Sequence, residues 1–136
     1  MKYFIIIVLF FSFKNSCGQS INWSNAKEWK LYKLRGHGLF NYKIDTLKNF
    51  ESYSLNKDTI TEYLKQSTVI PKDSTPVWMG EYVSSCMIGD NIFKLEISFY
   101  GGFFYCETDR QVYQIPNALK KEWQDYIMAC YRTFYP

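Results

Sequence analysis

The sequence predicts an α+β fold: an antiparallel β-meander with a C-terminal amphipathic helix packed across it, plus a shorter helix near residues 58–68. Three observations carry that expectation. Leu95, Ile97 and Phe99 alternate with Lys94, Glu96 and Ser98, the period-two signature of a strand with one apolar face. Leu119, Trp123, Tyr126, Ile127 and Cys130 instead fall at helical spacing, with Lys120, Lys121, Gln124 and Asp125 between them. Turn-forming clusters, Gly89-Asp90-Asn91 and Glu107-Thr108-Asp109-Arg110, separate the strand-like runs.

In chain order, imperfect alternation of Trp29 and Leu31 within residues 22–34 suggests a strand, broken by Arg35-Gly36-His37-Gly38. Phe40 to Ile44 suits a further strand, and Asp45 can cap a single helical turn through Phe50. Ile60, Tyr63 and Leu64 form the stripe of the shorter helix. Asp58 or Thr59 is positioned to cap it, with Glu62 completing a capping box. Pro71 closes that helix, and the turn-rich 71–76 segment leads to a strand over Trp78–Met87.

A two-residue loop at Asp90-Asn91 pairs Gly89 with Ile92, sets Cys86 opposite Leu95 and Tyr82 opposite Phe99, and faces all four inward. The same register sends Glu81 (opposite Tyr100) and Glu96 (opposite Ser85) to a solvated outer face; a three-residue loop would turn Val83 and Met87 inward. Gly101-Gly102 reads as a bulge or bend within one long strand. Gln111–Ile115 returns as the last strand, and Asn117, after Pro116, is the expected cap of the C-terminal helix.

The front of the chain reads as an export segment. Met1-Lys2 precedes an apolar run of eleven residues, Tyr3–Phe13, short of the roughly 20 needed to span a membrane and right for a signal peptide. Residues 1–18 are thus a predicted signal peptide and 19–136 a single α+β domain. Ser16 and Gly18 permit cleavage that leaves Gln19 first. The competing route lipidates Cys17 within the lipobox-like Asn15-Ser16-Cys17-Gly18, although Lys14 stands where that motif has an aliphatic residue. The expected location is periplasmic or extracellular by the first route and lipid-anchored by the second.

Without residues 1–18 the chain carries 14 basic and 13 acidic side chains. A net charge of +1 gives no reason to expect nucleic acid as a partner. Composition, 47% hydrophobic and 20% aromatic, belongs to a folding chain. Cys86, Cys106 and Cys130 have no C-x-x-C spacing, and His37 is the only histidine, so no zinc site or other metal is expected. No cofactor motif is present; Gly101-Gly102 lacks the spacing and lysine of a phosphate loop. Buried free thiols are the default for these cysteines, with one disulfide as the oxidising alternative.

Catalytic groupings are sparse. His37 has no nucleophile or acid beside it in sequence, and Ser84-Ser85-Cys86 lacks a nucleophile elbow. Aromatic residues carry the remaining information: Tyr100, Phe103, Phe104 and Tyr105 are the candidate binding residues, since tyrosine-rich patches serve interfaces and sugar stacking. Burial of these rings under the N-terminal segment, with Trp23 and Trp29, is the competing reading.

The hydrophobic start, the cleavage site leaving Gln19 and the Asn-, Lys-, Ile- and Tyr-rich body resemble small exported proteins of Bacteroidota-type bacteria with no assigned activity. Trp78-Met79-Gly80 followed by Ser98-Phe99-Tyr100-Gly101-Gly102-Phe103-Phe104-Tyr105 is similar to a pattern among them. That resemblance implies export and brings no site residues. The functional expectation is an exported, non-enzymatic binding or structural module of the bacterial envelope, meeting another envelope protein or a glycan through an aromatic sheet surface. The alternatives are an inhibitor or immunity-type protein that occludes a partner enzyme, and a small hydrolase using His37 or the outer carboxylates.

Overall fold

A computed structural model of the chain describes residues 21–35, 42–71, 81–98 and 102–136. The elements are β1 (Lys27–Arg35), α1 (Ile44–Leu47), β2 (Ser52–Ser54), α2 (Lys57–Lys65) and β3 (Thr68–Val69), then β4 (Tyr82–Ile88), β5 (Asn91–Ser98), β6 (Phe103–Cys106), β7 (Gln111–Gln114) and α3 (Lys120–Arg132). Among the described residues the strands form one seven-stranded sheet, ordered β2-β1-β4-β5-β6-β7-β3, with every pair antiparallel. The α+β expectation therefore holds, with the meander running β4 to β7 and β1 inserted beside β4.

Helices α2 and α3 cover one face of this sheet. Ile60 and Leu64 of α2 and Trp123, Ile127 and Cys130 of α3 join Trp29, Leu31, Leu95, Ile97, Phe104 and Ile115 in the main core. Trp23, in a short 3-10 turn, fills the end of that core, with Phe104 and Tyr113 each meeting its ring edge-on at 5.7 Å. The opposite face carries a smaller cluster of Tyr32, Leu34 and Val83 under Leu47 of α1. A sheet buried on both faces is the outcome that alternation alone does not announce.

The hairpin register differs from expectation by two residues. Ile88 pairs with Asn91, Cys86 with Phe93 and Tyr82 with Ile97. The loop is Gly89-Asp90, and positive φ at Gly89 (60°) matches a type II′ turn, which calls for glycine first. An even shift leaves every side chain on its predicted face. Glu96 therefore opposes Val83 rather than Ser85, yet still points away from the main core.

Gly101-Gly102 does not bend one long strand. β5 stops at Ser98, β6 starts at Phe103, and these two residues pair antiparallel, so the chain reverses between them. Gly102 has φ of 64°, and an added Cβ would sit 3.0 Å from Lys120 Cγ. Left-handed backbone costs a residue with a Cβ about 1–2 kcal/mol. Gly102→Ala should lose that much in urea denaturation, with α3 disturbed at Lys120.

Three caps also differ. Asn56, not Asp58 or Thr59, caps α2 by accepting the Thr59 N–H at 3.0 Å, while Glu62 accepts from Gln66 instead of closing a box. Lys43 occupies the cap position of α1, its carbonyl taking the Thr46 hydroxyl at 2.7 Å, and Asp45 lies within the first turn. Asn117 enters a 3-10 turn after Pro116, so α3 begins only at Lys120 without a side-chain cap. Only in α2 does a neighbouring polar side chain take the role; α1 and α3 start without a side-chain cap, because capping depends on where the chain enters the turn. Ile44 belongs to α1, and Tyr42 and Lys43 before it lie in no strand; residues 36–41 and 72–80, with the start of that expected strand and of the Trp78 strand, lie outside the described residues.

Candidate functional site

A groove opens on the outer face where α1 leans over β1 and β4, and its floor begins with an irregularity in β1. Lys27 pairs with Met87 but Lys30 with Ser85, so β1 carries one extra residue there. Across that bulge Trp29 points into the core, while Glu28 is left in left-handed backbone, φ 53°. Positive φ at a residue with a full side chain is strained and is often retained at working sites.

Beyond the bulge, Tyr32 and Ser85 face each other across the two strands. Both are buried, at 7% and 4% exposure, and their hydroxyl oxygens lie 2.8 Å apart. Two hydroxyls hold two hydrogens, and one such bond uses only one of them. A donor hydrogen and spare lone pairs therefore remain at the groove floor. Ser84, on the other side of the strand, is already committed: its hydroxyl donates to the Lys30 carbonyl at 2.8 Å.

Apolar walls rise on both sides, Ile44, Leu47 and Phe50 from the α1 segment and Met87 and Ile92 from the β4–β5 hairpin. The groove measures about 370 Å³, within the range of small-molecule sites. Exposed Glu28, Lys30, Asp45 and Lys48 stand at its rim.

Lys94 ties the covering segment down. Its ammonium, 1% exposed, donates to the Tyr42 carbonyl at 2.7 Å and lies 3.2 Å from both Glu96 Oε1 and Glu107 Oε2. Three N–H groups meet three oxygens, which is what a buried lysine requires. Glu96 is as deeply buried as Lys94, while Glu107 is half exposed. The outer carboxylates expected to be solvated, Glu81 and Glu96, thus include one that is a buried counter-ion; the face is covered by chain 42–50.

The predicted aromatic patch separates. Phe104 is fully buried in the main core, stacked on Tyr113 at 4.9 Å and 3°. Phe103 and Tyr105 lie half-buried on the opposite face, and Tyr105 adjoins a cleft with Val69, Pro71, Arg110 and Val112. Burial raises the Tyr105 phenol, and Glu96 and Glu107 push it further. Tyr100, His37 and Cys17 lie outside the described residues.

No metal-binding cluster of His, Cys, Asp or Glu occurs among the described residues. Cys86, Cys106 and Cys130 are free and buried. Burial, then the neighbouring Cys106, pushes the Cys86 thiol up to about 12; burial first does the same for Cys106. Neither is an activated nucleophile. Since the unshifted thiol ionises near 9.0, the stability these groups lend is intact below that pH and is lost as pH rises toward 12. Native protein should resist iodoacetamide at pH 8 at both positions, with alkylation appearing only on unfolding, as mass spectrometry would read.

Ser85 drew notice only within the Ser84-Ser85-Cys86 run, and Tyr32, Glu28 and Lys94 went unmarked in the sequence. A signal did exist for the last: Lys94 and Glu96 share a strand face two residues apart, with opposite charges. Among the described residues no helix is long and apolar enough to cross a membrane. The chain matches no protein-family model, no curated protein and no solved structure.

Proposed function

We propose that this protein is an exported, non-enzymatic binding module of the bacterial envelope whose ligand seats in the outer-face groove. The carrying observation is the buried Tyr32–Ser85 hydroxyl pair, with hydrogen-bonding capacity left over at the floor of an apolar-walled cavity. Burying polar capacity without a partner is costly, and a small amphiphile would supply that partner while its apolar body meets Leu47, Phe50 and Met87. The binding surface is thus moved from the Phe103–Tyr105 region, where Phe104 belongs to the core, to the β1–β4 side of the same sheet face.

A thermal-shift screen of small amides, alcohols and carboxylates tests this reading. Hits should raise the midpoint of the wild-type protein, and Ser85→Ala or Tyr32→Phe should weaken them about two- to tenfold, the worth of one hydrogen bond. Hits indifferent to both substitutions, or no hits, would refute the groove as the binding place. Inhibition of an envelope hydrolase by the pure protein, without any small-molecule hit, would select the inhibitor reading instead. Mass determination of the mature N-terminus, at Gln19 or at lipidated Cys17, tests export and its route.

A further inference from the structure

We infer that the groove takes a zwitterion of about dipeptide size, an apolar molecule carrying one ammonium and one carboxylate. This rests on the groove being the binding place and adds the chemistry of what enters it. Each side of the rim presents one acid and one base: Glu28 with Lys30 on the β1 bulge, and Asp45 with Lys48 on the α1 segment. Among the described residues none of the four forms an ion pair, whereas Lys33, Lys94 and Lys121 all do.

A rim of two positive and two negative groups favours neither a simple anion nor a simple cation. It does match a ligand with both signs held a fixed distance apart. Between the termini of such a ligand lies an amide, which both donates and accepts. The Tyr32–Ser85 pair offers a hydrogen and lone pairs, so it is matched to that group from below. The volume, about 370 Å³, lies in the lower part of the range of small-molecule sites, which suits two linked apolar residues better than a single ion. Glu28 gives independent support, since its strained backbone is what brings an acid to the rim beside Lys30.

Isothermal titration of the full chain with Leu-Leu, N-acetyl-Leu-Leu and Leu-Leu-amide decides the matter. The free dipeptide should bind about three- to fivefold more tightly than either blocked form, the worth of one exposed rim interaction. Its affinity should fall as salt is raised. In Glu28→Gln/Asp45→Asn the penalty for N-acetylation should vanish while that for amidation persists; Lys30→Gln/Lys48→Gln should do the reverse. That crossed pattern is one a merely structural role for these side chains would not produce.

Equal binding of the free and the two blocked peptides would overturn the inference, as would the absence of any dipeptide binding. If uncharged amphiphiles still raised the melting midpoint in a Ser85-dependent way, the groove would stand as the binding place and the zwitterion alone would fall. If neither class bound, both readings would fall together.

Discussion

Lys94→Met should cost about 3–5 kcal/mol, the usual penalty for stripping a buried ion of its partner. The substitution removes the ammonium that sits 3.2 Å from Glu96, and that carboxylate, itself almost wholly buried, loses this counter-charge. It also frees the Tyr42 carbonyl, so the segment over the outer face loses its tie. Glu107, half exposed, can turn to water and adds little. The double variant Lys94→Met/Glu96→Leu should recover most of the loss, because an apolar pair of similar volume replaces the ions without a stranded charge. Urea denaturation of the two variants measures both values. A Lys94→Met protein with wild-type stability would show that this ammonium does not hold the outer layer.

Trp123→Ala should be the most damaging change in α3, at about 3–5 kcal/mol. The indole is 1% exposed and makes ring contacts with Tyr63 of α2 at 5.5 Å and Phe104 of β6 at 6.5 Å. It therefore joins both helices to the sheet at one point, and neighbours on two separate elements cannot both collapse into the space it leaves. Its Nε1–H has no hydrogen-bond partner among the described residues, so the loss is one of packing and not of polar pairing. Trp123→Phe should then cost no more than about 1–2 kcal/mol, since most ring contacts survive and an unsatisfied donor is removed. Comparing the two variants by thermal and urea midpoints separates the effects; a Phe variant as damaged as the Ala variant would contradict this account.

The strands and helices with strong periods were legible, and the reasons others were not are physical. Alternation in β5 assigns Leu95 and Ile97 to one face and Lys94 and Glu96 to the other, and the structure keeps that division. Alternation is silent on whether the second face is covered. The cover here is α1, four residues long, too short to show a helical period. Lys94 and Glu96 therefore read as solvated when they are buried.

Chain reversal between Ser98 and Phe103 was hidden for a related reason. The aromatic pattern continues on both sides of the glycines, so a bent strand and a hairpin look alike in one dimension, and only pairing of Ser98 with Phe103 distinguishes them. β2 and β3, of three and two residues, exist as strands only through their partners. The groove combines these difficulties: its floor needs β1 beside β4, Tyr32 and Ser85 being 53 residues apart in the chain, and its wall needs α1.

The strand order has a consequence for how the molecule comes together. Both outermost strands, β2 and β3, come from the first half of the chain, while β4 to β7 occupy the middle of the sheet. Neither half can complete a sheet alone, and the β3–β7 closure joins Thr68 to Gln114 across more than forty residues. Such distant pairings make for slow folding, because loop-closure entropy is lost before contacts repay it. Until β3 docks, β7 presents an open edge of the kind other chains can join. Two residues of backbone at the far rim thus serve as a guard against self-association, and their docking is an event that the whole length of the chain must await.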